Sequence, residues 1–465
     1  MAGKKNSMFK NIFVIVLFVC AVIQTGMLWL DSSSSHNFFY YLFERQFTES
    51  GSNGPVESIA PKDTAVGNGN NTFKLLYGTD EGIDTSVNSV IKNAVSNSDE
   101  QVITDFLWQD CINVKCAVYE FGITVPFNEF FNGLGISERK TPESMSGFTS
   151  IVTVPFNEDN KNSVVYFIDD SSSDSEAVMY IADVSPELSN EIDRVLNDSK
   201  NKLTCISTAA SGFNIFKNNV FVPQFSSDKS GFYGISESPC IDLSENVTTE
   251  YIESVTEQYF GGYTNKTVSF EPSGVYTIAD TTNVVKLYPY NVLEYFSYNA
   301  ENTEQQQSLS SAYYVCMEFL NKDTSIKTDY YLSDVRITGE GALFCFDYCV
   351  SGMPVVIGGN IRNEYGINHA MEVLVSGNSV RKFKKYNSNF AENTDFAENI
   401  SVDFLTAVNY SMVLKGGDNN QIDEIVFGYY LTGEEDEPQS GICWFVNIDS
   451  TVYIIDAEDG SLRIK

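Results

Sequence analysis

The apolar and polar positions divide the chain into stretches of different period. From residue 11 to residue 30 the run NIFVIVLFVCAVIQTGMLWL is uncharged and almost wholly apolar, with no polar face at a helical or a strand period. Twenty residues at 1.5 Å rise reach about 30 Å, the thickness of a bilayer's hydrocarbon core, so the run predicts a transmembrane helix at 11–30. Residues 49–72, ESGSNGPVESIAPKDTAVGNGNNT, hold few large apolar side chains and have the composition of a linker. Val87, Val90, Ile91, Ala94 and Val102 then recur at partly helical spacing between Ser86 and Trp108. Apolar runs at 116–125, 149–155, 163–168 and 177–182 predict strands. Ser185-Pro186-Glu187 opens a helix as N-cap, first-turn proline and first-turn acid, with Leu188, Ile192, Val195, Leu196 and Leu203 on its apolar side.

Further along, 249–260 reads as a helix stopped by Gly261-Gly262, followed by strands at 266–270, 275–279, 284–288 and 291–298. Leu309, Ala312, Tyr313, Cys316, Met317 and Leu320 form a helical face. Strands are expected at 342–350 and 372–375. Ser401 is placed to cap a helix with Phe404, Leu405, Val408 and Met412 inward, and 424–431, 442–446 and 451–456 end the chain as a meander. The pattern therefore predicts an α+β protein: a single N-terminal transmembrane helix, then a multi-domain extracytoplasmic region of antiparallel sheets with covering helices. Its expected parts are a tail at 1–10, the membrane helix at 11–30 and a juxtamembrane linker at 31–72. Three α+β units follow at 73–208, 209–303 and 304–465.

Charge narrows the partners. The chain has 62 Asp and Glu against 29 Lys and Arg, a formal net charge of −33. A nucleic-acid partner needs a basic stripe to displace counterions, so none is expected. Lys4, Lys5 and Lys10 precede the apolar run and Asp31 follows it, which places the N-terminus in the cytoplasm and 31–465 outside the cell membrane. Met27-Leu28-Trp29 is too bulky for a signal-peptidase site, and Val19 before Cys20 does not suit lipidation, so a retained single-pass anchor is expected.

Candidate chemistry is sparse. His36 and His369 are the two histidines, too few for a His-rich metal centre or an evident Ser-His-Asp triad. Asp169-Asp170-Ser171-Ser172-Ser173-Asp174 has the oxygens of a calcium loop but lacks its glycine and its terminal acid, and reads as a solvated acidic loop. Glu434-Glu435-Asp436-Glu437 reads as a charged turn. Outside the anchor stand Cys111, Cys116, Cys205, Cys240, Cys316, Cys345, Cys349 and Cys443, mostly inside apolar runs, and most are read as small buried thiols. No catalytic, cofactor or metal residue is expected.

Several local runs resemble one family. Phe221-Val222-Pro223, Val292-Leu293-Glu294-Tyr295, DYYLSDV at 329–335, Phe346-Asp347-Tyr348 and Gly352-Met353-Pro354-Val355 follow a lysine-led anchor in order. Gly428-Tyr429-Tyr430, Cys443-Trp444 and IIDAEDG at 454–460 close the chain. The whole resembles the YycH (WalH) family of membrane-anchored regulators, and its ending is similar to the YycI module and to a PepSY-type hairpin. The resemblance implies a non-enzymatic regulator of a WalK-like sensor histidine kinase in cell-wall homeostasis, with a YycI-like sister protein as second partner. The residues leave open an extracellular wall- or peptide-binding module and, further off, a carboxylate-based wall hydrolase. For a kinase contact inside the bilayer the candidates are Ala21, Gln24, Thr25 and Gly26. Small residues let helices approach, and an amide can bond across them.

Topology gives the first test. Protease added to intact protoplasts should remove 31–465 and leave the anchor; complete protection would exclude this orientation.

Overall fold

The β-rich reading of 116–182 is realised in a computed structural model. It describes residues 58–463 except 79, 104–105, 137–140, 158–160, 171–175, 199–202, 226–231, 244–246, 261–264, 299–307, 417–420 and 433–439. The apolar run at 11–30 lies outside the described residues, and no helix among those described is long and apolar enough to cross a membrane. The architecture is a mixed α+β fold of antiparallel sheets with interspersed helices.

The first sheet comprises β1 (Asp63–Asn68), β2 (Phe73–Tyr77), β3 (Gln101–Ile103), β4 (Lys115–Pro126), β5 (Gly147–Asn157), β6 (Asn162–Asp169), β7 (Glu176–Ala182), β8 (Thr204–Ser207) and β9 (Phe221–Pro223). Their order is β3-β7-β6-β5-β4-β1-β2-β8-β9. The helices Glu81–Asn97 and Pro186–Asn197 pack on it and on each other. Ser185 caps the second as its sequence implies, its hydroxyl accepting from the Leu188 amide at 3.3 Å. The first helix starts earlier than its apolar spacing suggests, because the Asp80 carboxylate accepts from the Ile83 amide and caps it. Val102 belongs to β3 and is 58% exposed.

The stretch read as linker contains β1, which lies between β4 and β2 in the middle of the sheet. A strand there must be thin, and Thr64, Ala65 and Val66 are all buried. At Gly67 the Phe73 ring lies where a side chain would stand. Small residues chosen for close packing look like linker residues in a sequence.

A two-stranded ribbon pairs β10 (Tyr233–Pro239) with β20 (Ser388–Ala397). The large second sheet draws on β11 (Thr267–Phe270), β12 (Tyr276–Ala279), β13 (Asn283–Tyr288), β14 (Val292–Ser297), β15 (Asp329–Thr338), β16 (Gly341–Val350), β17 (Met353–Ile357), β18 (Met371–Ser376) and β19 (Ser379–Tyr386). It is completed by β21 (Ile422–Leu431), β22 (Ser440–Ile448), β23 (Thr451–Asp456) and β24 (Leu462–Arg463). The order runs β11-β12-β13-β14-β19-β18-β16-β17-β21-β22-β23-β24, with β15 paired to β16. The β14–β19 pairing therefore puts the strands of 267–297 in the same sheet as those after residue 329. Only β17–β21 among these pairings is parallel. The helix Phe404–Lys415 is capped by Asp403, whose carboxylate accepts from the Thr406 amide at 2.8 Å, rather than by Ser401. Ser401 and Val402 instead donate their amides to the Ala457 carbonyl. That start buries Phe404, Ala407, Val408 and Ser411 and leaves Leu405 exposed.

The described residues form one compact unit, and the two sheets are tied by specific contacts. Glu129, buried on the helix Phe127–Gly133, accepts from the Ser310 amide at 3.1 Å and the Ser310 hydroxyl at 2.7 Å. Those donors open the helix Leu309–Leu320, where a carboxylate satisfies orphan amide groups and complements the helix dipole. The Lys217 amide donates to the Ile422 carbonyl and the Ile422 amide to the Ile215 carbonyl, each at 2.9 Å. Tyr77 and Tyr331 pack their rings 5.2 Å apart.

Within the second sheet an ion pair is fully buried. Lys385 on β19 meets Asp323 at 2.7 Å, with side chains 0% and 2% exposed. Tyr259, Gln258 and Ser325 also donate to Asp323. Burial alone would raise the Asp323 carboxyl, but Lys385 and these donors outweigh it and hold it below its usual range. Removing one partner strands the other's charge. Lys385→Met should destabilise the protein by about 3–5 kcal/mol in denaturant unfolding. Adding Asp323→Asn should recover most of that loss; no recovery would show that packing at Lys385 dominates.

Candidate functional site

A row of polar side chains crosses the middle of the first sheet. Register places Ser150 opposite Glu120, Glu120 opposite Asp63, and Asp63 opposite Tyr77 on β5, β4, β1 and β2. These four lie on one face and floor a cleft of about 280 Å³. Its opposite wall comes from the second sheet, where Asp423, Glu424, Ile425 and Val426 of β21 and Asn447 of β22 face it. The β21–β22 register shifts between Ile422 and Glu424, and at this bulge both Asp423 and Glu424 line the cleft.

Most of the cleft's acids are accommodated in three ways. Lys62 forms an ion pair with Glu424 across the cleft, joining the two sheets. Burial alone would lower the Lys62 ammonium, but Glu424 and Asp63 outweigh it and hold it above its usual value. Asp170 is 6% exposed and accepts from the Trp108 indole at 3.0 Å. It is thus a buried cleft residue and not part of a solvated loop; 171–175 lie outside the described residues. Asp63 and Glu120 hydrogen-bond to each other, and burial pushes both carboxyls up. Two adjacent buried carboxyls cannot both ionise cheaply, which favours one proton shared between them.

Three polar atoms of the lining lack a hydrogen-bond partner among the described residues: Asp63 Oδ1, Asn219 Nδ2 and Asn447 Oδ1. Asp63 is 7% and Asn219 8% exposed. The Asn219 carbonyl oxygen accepts from the Ser207 hydroxyl at 2.6 Å and the Ala209 amide at 3.2 Å, which fixes the amide so that Nδ2 is the unpartnered end. A buried polar atom without a partner costs free energy that a ligand can recover. The cleft offers acceptors at Asp63 and Asn447, one donor at Asn219, and an excess of negative charge. That set suits a small organic cation carrying an acceptor of its own.

Of the residues read from sequence as a site, Ala21, Gln24, Thr25 and Gly26 all lie outside the described residues, as do Glu434 to Glu437. The cleft residues escape a sequence reading for identifiable reasons. Lys62 and Asp63 fall in the run that resembles a linker, and Glu120 is one acid within the run 116–125 read as a strand. None of the eight cysteines from Cys111 to Cys443 forms a disulfide, and seven are buried. Compared with known proteins, the chain matches no family model and no curated protein.

The shared proton has a consequence for stability. The ordinary values for Asp63 and Glu120 are 3.8 and 4.5, and both are raised in the folded protein. The folded state therefore binds more protons than the unfolded one above those values, and stability falls as pH rises towards the raised values. Glu120→Gln keeps a donor for Asp63 and removes one of the two raised titrations. Its melting temperature should fall less between pH 5 and pH 8 than that of the unaltered protein; equal slopes would place the proton elsewhere.

Proposed function

We propose that the protein is a membrane-anchored, non-enzymatic regulator of a WalK-type sensor histidine kinase, working with a YycI-like sister protein in cell-wall homeostasis signalling. Its outer body is the part that reads a ligand. The anchor run at 11–30 and the ordered text resemblance from Phe221 to Gly460 support the class. The observation that carries the ligand-reading role is the cleft shared by two sheets, with buried, unpartnered Asp63 Oδ1 and Asn219 Nδ2 on one wall and Asn447 on the other.

A ligand changes a conformational equilibrium only through different contacts in the two states. An occupant touching Asp63 on one sheet and Glu424 or Asn447 on the other binds one relative setting of the sheets better than any other. The outer body then has a means to alter what it presents to a kinase beside it. The occupant is a small polar cation: its charge answers the carboxylates, and a hydroxyl or carboxylate on it answers Asn219.

The non-enzymatic reading has support in the lining itself. Among the described residues its lining holds no His or Cys, and Lys62 is paired with Glu424. Asp63 and Glu120 touch directly, which leaves no room between them for the sugar and water that paired-carboxylate glycosidases hold at about 5–9 Å separation.

The test is co-capture of the kinase on the tagged full-length chain from detergent, read beside a reporter of the response regulator's output. Gln24→Leu with Gly26→Leu retains insertion, because both changes raise hydrophobicity. It removes the amide bond and the close approach, which should cost about 1–2 kcal/mol of association, roughly a 5- to 30-fold weaker complex. Unchanged capture and output would move the contact to the outer body. No capture by the unaltered chain would end the kinase reading.

A further inference from the structure

Away from the cleft, β15, β16 and the turn before β18 bring together three chemically different side chains. Asp334 on β15 lies opposite Cys345 on β16 in register, and a bulge at Ser333 precedes it. His369 stands in the turn that enters β18. One ligand atom from each of Asp334, Cys345 and His369 lies within 4.8 Å of the others. Cys345 is fully buried, while the Asp334 and His369 side chains are 19% and 18% exposed.

The imidazole is held in a defined way. Its Nδ1 meets Asp347 Oδ2 at 3.0 Å, and Asp347 Oδ1 accepts from the Ala370 amide at 2.9 Å. Glu372 accepts from the His369 amide at 3.3 Å. A carboxylate on Nδ1 keeps the proton there and turns the Nε2 lone pair outward, as the carboxylate partners of metal-bound histidines do. Ser333 Oγ approaches the same Nδ1 at 3.1 Å, so Ser333, His369 and Asp347 do not make a proton relay, which needs one partner on each nitrogen. The Nε2 side faces Arg336, whose terminal nitrogen is 3.4 Å away. Arg336 Nε also donates to Asp334 Oδ2 at 2.6 Å. A cation thus already stands between Asp334 and His369, on a side chain 41% exposed.

We propose that Asp334, Cys345 and His369 bind a zinc-class divalent ion, and that the Arg336 guanidinium holds the ion's place when none is bound. Thiolate, imidazole and carboxylate together select a borderline-soft ion over calcium or magnesium. Bonds of about 2.0–2.3 Å around a tetrahedral ion require the three ligand atoms to close to roughly 3.5 Å, a movement that departure of Arg336 permits. Three protein ligands leave a fourth position for water. On binding, the Cys345 S–H bond breaks, the sulfur pair becomes the bond to the metal, and the proton passes to solvent. The sequence gives no sign of this site, because the ligands come from separate elements without a spacing motif.

Cobalt(II) is the probe, added to the full-length chain in detergent and then displaced by zinc(II). One cobalt per chain should bind, with a thiolate-to-metal charge-transfer band that zinc abolishes and Cys345→Ser removes. Asp347→Asn should weaken binding about 10- to 100-fold. Arg336→Ala, at a partly exposed position, should tighten it by removing the competing cation. If Cys345→Ser loses the circular dichroism of the unaltered protein, His369→Gln replaces it with the same expected loss. Absence of the band, its survival in those variants, or binding no tighter in Arg336→Ala would overturn the proposal.

Discussion

Neutralising buried carboxylates with too few cations is the constraint on which this structure turns. The chain has 62 acids and 29 basic residues, so most acids must remain in water, and those that are buried need a specific remedy. Buried Asp323 takes Lys385, the partly exposed Glu424 and Asp334 take Lys62 and Arg336, and Asp347 bonds to the His369 imidazole. Glu129 uses the amide end of a helix instead of a cation. Asp63 and Glu120 share a proton. Most of these remedies join elements that are distant in sequence, which makes charge neutralisation a source of long-range order here.

The remedies differ in how reversible they are. The Asp323–Lys385 pair is closed off by Tyr259, Gln258 and Ser325, so breaking it leaves a stranded charge and favours no alternative state. Arg336 and the proton on the Asp63–Glu120 pair are provisional by comparison. Each neutralises a carboxylate from a position where a ligand's own positive charge could replace it. An organic cation in the cleft displaces a proton, and a metal ion on β15 and β16 displaces a guanidinium. In the cleft one positive charge replaces another, and on β15 and β16 the ion's two charges replace the guanidinium and the Cys345 proton, so neither exchange adds net charge.

Much of the fold was legible. Ser185-Pro186-Glu187 marked a helix start because cap, proline and acid act locally, and β5, β6 and β7 showed as β-branched runs. Local signals failed where a neighbour from elsewhere decided the outcome. β1 has thin side chains because Phe73 packs on Gly67 and strands flank it on both sides, and its sequence resembles a linker for that reason. Asp403 displaced Ser401 as a cap because Ser401 is engaged with Ala457, a partner far off in the chain. The cleft was hidden for the same cause. Asp63, Glu120, Asp170 and Glu424 are ordinary acids in an acidic chain until strand register and a bulge bring them together.

A proton shared between Asp63 and Glu120, inside a cleft lined by acids, has a direct spectroscopic signature. The infrared difference between the unaltered protein and Glu120→Gln at pH 7 reports it. A protonated-carboxyl band should be present in the unaltered protein and absent after the substitution. A difference spectrum showing only the loss of an ionised carboxylate would mean that both groups are charged, and would contradict this reading of the site.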